Sequence, residues 1–222
     1  MDIIEAIRLR KSIRGFKSTP VSKEVLREIL DIATRSPSSD NAQTWEITVV
    51  TGEVLDNIKR GNIDRLVSRV VPNPDFVLGE LEGVYRQRQV GLAIQLFQLM
   101  GIAREDRDKR AQWRQRGFRF FDAPAVIILS ADSSLNESRI HFDIGLISQT
   151  ICLAALNYSL GTCINVQGVM YPEVVREFTG IPKSRRIIIG IAIGYPDWDF
   201  PANKVESRRE PVESITSWCG FD

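Results

Sequence analysis

From Arg186 to Tyr195 the chain reads R-I-I-I-G-I-A-I-G-Y, with isoleucine at 187, 188, 189, 191 and 193 and only Gly190, Ala192 and Gly194 between them. Apolar side chains at consecutive rather than alternate positions specify a strand buried on both faces, so the rest of the chain must supply cover for it. A second run, Pro124 to Ala131, contains Val126, Ile127, Ile128 and Leu129 and is short enough to be another buried strand. The stretch Ile140 to Leu160 is a long helix, apolar on most sides, with Ile144, Ile147, Ile151, Ala154 and Ala155 recurring inward. A helix of that kind belongs at the centre of a domain or at a subunit interface. With further strand patterns near 46–51 and 162–167, the expectation is an α+β fold whose central mixed β-sheet is flanked by helices.

Two helices precede that core. Asp2 caps the first, where Ile3, Ile4 and Ile7 share a face and the basic cluster Arg8, Arg10, Lys11 falls at or just beyond the last turn. Ser22 caps the second, with Val25, Leu26, Ile29, Leu30 and Ala33 at helical spacing, and Ser36 to Asn41 breaks it. A short helical stretch follows near Leu55 to Lys59. Beyond Gly61 the pattern loosens, with Pro72 and Pro74 in a turn, a helix from about Leu78 to Ala103 and a charged stretch from Arg104. The chain therefore reads as a single domain, 1–222, with an excursion at about 61–120 lying over the active site. After a helix from Pro172 to Phe178, an arm at about 197–222 carries Trp198, Phe200, Trp218 and Phe221 without a helical period, and such side chains need a partner surface.

Composition removes several classes of function. Apolar residues at 43% and charged residues at 26% exclude a disordered or fibrous chain. With 29 Lys plus Arg against 28 Asp plus Glu, no global field favours nucleic acid or an anionic membrane. Cys152, Cys163 and Cys219 form no C-x-x-C pair and are odd in number, which fits a reducing compartment better than a zinc site or a disulfide framework. The first residues lack the basic-then-apolar order of a secretory signal, and no apolar run approaches the ~20 residues of a membrane span. A cytoplasmic protein with neither membrane nor nucleic-acid partners is expected.

Chemistry concentrates in two segments. In Arg10-Lys11-Ser12-Ile13-Arg14-Gly15-Phe16 three cations and a hydroxyl crowd together before a turn. That arrangement suits a phosphate, since each charge-assisted bond is worth ~1.5–3 kcal/mol; a solvated helix end whose cations complement the dipole is the alternative. Ser36-Pro37-Ser38-Ser39-Asp40-Asn41-Ala42-Gln43-Thr44-Trp45 sets small polar side chains at a strand mouth, where they can bond the edge of a planar heterocycle while Trp45 supplies an apolar wall. It can equally be an ordinary loop.

The order of five motifs settles more than any one of them. R-K-S-I-R-G-F, then S-P-S-S-D-N-A-Q-T-W, then G-T-C-I-N-V-Q-G after the long helix, then I-G-I-A-I-G-Y-P, and finally R-E-P-V-E together resemble the flavin nitroreductases. The resemblance spans Arg10 to Glu213. It implies the nitroreductase-like FMN-binding fold and an intertwined homodimer with two FMN sites at its interface. It places the phosphate and ribityl chain of FMN at Arg10, Lys11, Ser12 and Arg14. It places flavin-lining groups from the other subunit at Pro37, Ser38, Ser39, Asn41 and Gln43, and the redox edge of the ring at Gln167 and Gly168. Arg209, with Arg208 as a neighbour, would complete the phosphate site. Glycine at 168 would let a backbone N–H approach a flavin nitrogen. Members of the family often have Glu where Gln167 stands and Lys where this chain has Ser207.

The implied activity is electron-pair transfer by a ping-pong route, from NADPH or NADH through FMN to a small acceptor such as a nitroaromatic or quinone. Reductive dehalogenation and dehydrogenation are other reactions of such proteins, and a flavin carrier or sensor without turnover is a rival of a different class. No acid–base dyad is expected, because the cofactor does the chemistry. The sole histidine, His141, and the strand residue Cys163 read as structural. The basic stretch Arg104 to Arg119 reads as a solvated helix face, or as a lid whose cations attract a nicotinamide phosphate or an acceptor carboxylate.

Overall fold

The computed structural model describes residues 2–221. Strands β1 (Glu46–Thr51), β2 (Ala125–Asp132), β3 (Gly161–Asn165) and β4 (Arg185–Gly194) form one sheet in the order β1-β2-β4-β3. All three pairings are antiparallel. This corrects the expectation of a mixed sheet: the one parallel pairing among the described residues is an isolated bridge outside the strands, between Ser12 and Thr162, where the Ile13 N–H donates to the Thr162 carbonyl at 2.9 Å.

The two central strands bury both faces, as their unbroken apolar runs require. Ile127 and Leu129 with Ile189, Ile191 and Ile193 face one layer, built on α2 (Lys23–Ala33) and α6 (Glu137–Leu156). Val126, Ile128 and Ala192 face the other, built on α3 (Gly52–Val67) and α7 (Pro172–Thr179) with Phe118, Phe120 and Tyr171. The β2–β4 register shifts between Leu129 and Ser130, which pair with Ile189 and Ile187 and skip Ile188.

Local chemistry explains the helix ends. The Asp2 carboxylate accepts the Ile4 N–H at 3.0 Å to start α1 (Ile3–Leu9), and the Ser22 hydroxyl accepts the Val25 N–H at 3.3 Å to start α2. Pro172 opens α7 and Gly180 closes it in the left-handed region, at φ 72°.

The stretch after residue 60 is more regular than its sequence pattern. Helix α3 runs through Gly61 to Val67, and a Cβ at Gly61 would stand 2.7 Å from the Val174 side chain. The glycine is a packing notch between α3 and α7 and not a break. Helix α4 (Gly83–Leu99) begins later than its apolar pattern suggests and keeps only Leu96 buried, while the charged stretch folds as α5 (Arg107–Phe118), capped by Asp106. The C-terminal arm contains a 3-10 turn at Pro201–Lys204 and one α-helical turn, α8 (Val212–Ile215), and leaves Trp198, Ile215, Trp218 and Phe221 exposed.

Helix α6 has the length and apolar composition of a membrane span. This corrects the reading that no apolar stretch approaches that length. Its inward face, from Ile140 through Ile144, Ile147 and Ile151 to Ala155, is nevertheless buried in the core, and Asp143 is fully buried among those residues. It is the core helix of this domain.

Because Ile191 is fully buried between the two layers, Ile191→Ala should lower the free energy of unfolding by about 2–5 kcal/mol, read from urea denaturation. A loss below about 1 kcal/mol would mean that one face of β4 is not packed as described.

Candidate functional site

After α1 the chain straightens and runs beside β3, and one buried amide fixes its path. Asn203 is 1% exposed; its Oδ1 accepts the N–H groups of Arg14 at 2.7 Å and Gly15 at 3.2 Å, and its Nδ2 donates to the carbonyls of Gly15 at 2.8 Å and Asp197 at 2.7 Å. The Phe200 ring packs so closely on Gly15 that a Cβ there would lie 2.3 Å from it. Arg10, Lys11, Ser12 and Arg14 therefore project, half-buried, from a backbone that is held on both sides.

Arg10, Lys11 and Arg14 form no ion pair among the described residues, whereas Arg116 and Arg119 share Asp122 and Arg176 is paired with Asp75. Three cations and a hydroxyl without a counter-charge are the donor set a phosphate requires. The two neighbouring thiols are not reactive groups. Burial pushes Cys152 up to about 11 and also raises Cys163, with Arg14 and Ser12 opposing the latter shift.

The second expected segment follows β3. The Gly168 N–H donates to Asn165 Oδ1 at 2.6 Å, and Asn165 Nδ2 donates to the Gly117 carbonyl at 3.1 Å. Asn62, also fully buried, donates from Nδ2 to the carbonyls of Gly168 at 2.8 Å and Phe118 at 3.0 Å. The turn Gln167–Val169 is thereby tied to the end of α5. A Cβ at Gly168 would stand 2.2 Å from the Phe120 ring, and one at Gly190 2.6 Å from it. Glycine occupies 168 for the ring packed against it. Its N–H is already engaged by Asn165, which revises the expectation of a free donor there.

The third segment, Ser36 to Thr44, is anchored on α6. The buried Asp143 carboxylate accepts the Thr44 hydroxyl at 3.0 Å and the Ser39 N–H at 3.4 Å, and the Ser36 hydroxyl donates to Thr150 Oγ1 at 2.7 Å. Inside the loop the Gln43 N–H donates to Ser38 Oγ at 3.0 Å and Gln43 Nε2 to Asn41 Oδ1 at 3.2 Å. Asp40, Asn41 and Gln43 adopt φ of 55°, 56° and 47°, so the loop holds a strained form that presents Pro37, Ser39, Asn41 and Gln43 to solvent. Trp45 faces the core instead of walling the loop. His141 packs at a tilt against Phe76 with ring centroids 4.3 Å apart, a packing role.

One chain does not close these parts into one site. Among the described residues no hydrogen bond joins the Ser36–Thr44 loop to the Arg10–Arg14 segment or to Gln167–Gly168. Arg208 and Arg209 lie exposed on the arm, with Arg209 Nη1 turned back on the Ser207 hydroxyl at 2.9 Å. Clefts of about 490 and 420 Å³ lie elsewhere, around Gly61 and Val174 and around Asp75 and Arg176.

Residues 7–195 match the profile of the Nitroreductase family. The chain belongs to that family. It is 31% identical to a 4-nitrobenzoate reductase of Pseudomonas putida over 100% of this chain and 97% of that protein. It is 32% identical to a nitrobenzene nitroreductase of Ectopseudomonas oleovorans over 97% and 96%. Among solved structures it superposes with a TM-score of 0.94, at 29% identity and with 100% of both chains covered, on an FMN and NADPH-dependent nitroreductase NfnB from sphigopyxis sp. strain HMH. With the FMN-dependent nitroreductase NfnB of Mycobacterium smegmatis in complex with NADPH the TM-score is 0.91 at 28% identity, covering 98% of this chain and 100% of that one.

Sequence reasoning missed Asn62, Asn165, Asn203, Phe120 and Asp143 as organisers of this nitroreductase's site. The available signal was a polar residue inside an apolar pattern, as Asp143 is on α6 and Asn165 at the end of β3. Removing the Asp143 carboxylate with Asp143→Leu should free the loop while the sheet stays protected. Amide exchange at Ser39 should rise about tenfold or more with that of Val126 and Ile128 unchanged; unchanged Ser39 exchange would show that Asp143 does not hold the loop.

Proposed function

We propose that this chain is an FMN-dependent oxidoreductase that takes electron pairs from NADPH or NADH and delivers them to a small acceptor, nitroaromatics foremost. The observation that carries this reading is the set of uncompensated cations on the segment that Asn203 fixes beside β3. Arg10, Lys11, Ser12 and Arg14 would hold the FMN phosphate and ribityl chain, and Gln167 and Gly168 would border the ring. Bound there, FMN would supply hydride acceptance from the nicotinamide and return of the electron pair to the acceptor. The protein's part is to place the donors, keep them free of competing carboxylates, and hold the Gly168 turn still through Asn62 and Asn165.

The site is completed by a second copy. Ile3, Ile4 and Ile7 share a face of α1 that is more than half exposed, and Phe142, Trp218 and Phe221 are similarly bare, an apolar surface that a homodimer would cover. Pro37, Ser38, Ser39, Asn41 and Gln43, together with Arg208 and Arg209, then reach the flavin from the partner. In this reading the excursion at 61–120 lies over the site and the arm at 197–222 crosses the other subunit. Three cysteines without a disulfide suit a cytoplasmic location.

Two experiments test this. The purified protein should be yellow, should bleach with excess NADPH or NADH under anaerobic conditions, and should recover its colour on addition of a nitroaromatic. A flavin that neither nucleotide reduces rapidly would reduce the protein to a carrier. Arg10→Ala combined with Arg14→Ala should leave a folded but nearly colourless protein, with FMN affinity down by about a hundredfold or more for two charge-assisted contacts; full flavin content in that variant would place the phosphate elsewhere.

A further inference from the structure

Between the two ends of this site the chain makes an unusual turn. Phe120, Phe121 and Asp122 are three consecutive residues with side chains in the left-handed region, at φ of 53°, 55° and 60°. That conformation is costly for any residue with a Cβ and persists only where the surroundings enforce it. Here they do. The Phe120 ring is fully buried in the notch between Gly168 and Gly190. The next ring, Phe121, is 6% exposed and lies 6.0 Å from the Arg14 guanidinium. Arg116 closes the turn from α5, donating from Nη2 to the carbonyls of Arg14 at 3.3 Å and Phe121 at 3.4 Å and pairing through Nη1 with Asp122 at 2.9 Å.

The two adjacent rings thus touch opposite ends of the proposed cofactor site, one at the Gly168 turn and the other at a phosphate-binding arginine. A right-handed conformation would turn the two side chains in other directions. We propose that Phe120 and Phe121 are positioning residues which set the Gly168 turn and Arg14 relative to each other, Phe120 governing the redox edge of the flavin and Phe121 the grip on its phosphate. This rests on the FMN-binding reading above. It goes beyond that reading by assigning separable effects to two neighbouring, chemically identical side chains, neither of which supplies a polar contact to the cofactor.

The test applies one substitution at both positions, Phe120→Leu and Phe121→Leu, with thermal midpoint, FMN dissociation constant and flavin midpoint potential measured on the holoprotein. Phe120→Leu should leave the affinity for oxidised FMN within about twofold of wild type. It should change the ratio of affinities for reduced and oxidised FMN by about tenfold, about 30 mV for a two-electron couple. Phe121→Leu should weaken FMN binding by about tenfold, through loss of the cation–π contact and of Arg14 placement, and leave the potential unmoved. If either leucine variant fails to fold, Phe→Met at that position fills similar volume with a flexible side chain and answers the same question. Both variants shifting affinity and potential together, or losing only thermal stability, would overturn the proposal while leaving the FMN-binding reading intact. A wild-type protein that takes up no FMN would end that reading and this one with it.

Discussion

A strand with no polar face must be covered twice, and the architecture follows from meeting that demand for β4. One face takes α2 and α6, and the other takes α3, α7 and the aromatic residues around Phe120. Once both layers are in place, the rim of the sheet and its ends are where loops carrying polar groups can gather. The Arg10–Phe16, Ser36–Thr44 and Gln167–Gly168 segments are found there. The Arg10–Phe16 segment runs along β3 and returns to the exit of β4, where the Lys17 N–H donates to the Tyr195 carbonyl at 2.9 Å. The Gly168 turn follows the last residue of β3.

That demand also shows which parts of the structure were legible beforehand. The isoleucine runs of β2 and β4, the apolar face of α6 and the Asp2 and Ser22 caps are local patterns, and each produced the expected element. Gly61 misled because a gap in apolar periodicity looks the same whether a helix ends or a neighbour approaches; only Val174, far along the chain, distinguishes the two. The same holds at Gly168, where glycine suggested an exposed backbone donor and the structure shows a ring seated against it.

Polar residues that organise the site were hidden for a related reason. Asn203 bonds Arg14 across 189 positions, Asn62 bonds Gly168 across 106 and Asp143 bonds Ser39 across 104. Their partners are mostly backbone groups, which leave no residue-type signature. The cations were visible because charge crowds in sequence as well as in space. Their exposure to an anion was not, since it depends on which carboxylates the fold brings near, and it brings none to Arg10, Lys11 or Arg14 among the described residues.

The choice of amides as the fixing groups then has a physical logic. A carboxylate at position 203 could accept the two N–H bonds that Asn203 accepts, but it could not donate to the Gly15 and Asp197 carbonyls. It would also place a negative charge beside Arg14 and neutralise the field on which anion capture depends. A neutral side chain that both donates and accepts holds the backbone without spending its charge. The same holds at Asn165, which takes the Gly168 N–H and gives to the Gly117 carbonyl without adding a charge of its own. Where an acidic side chain does fix a site loop from within the core, at Asp143, it is bonded to an N–H and a hydroxyl of the Ser36–Thr44 loop, a segment with no hydrogen bond to the Arg10–Arg14 backbone among the described residues. The neutral amides thus leave Arg10, Lys11 and Arg14 without an ion pair among the described residues, at the positions where a phosphate would complete them.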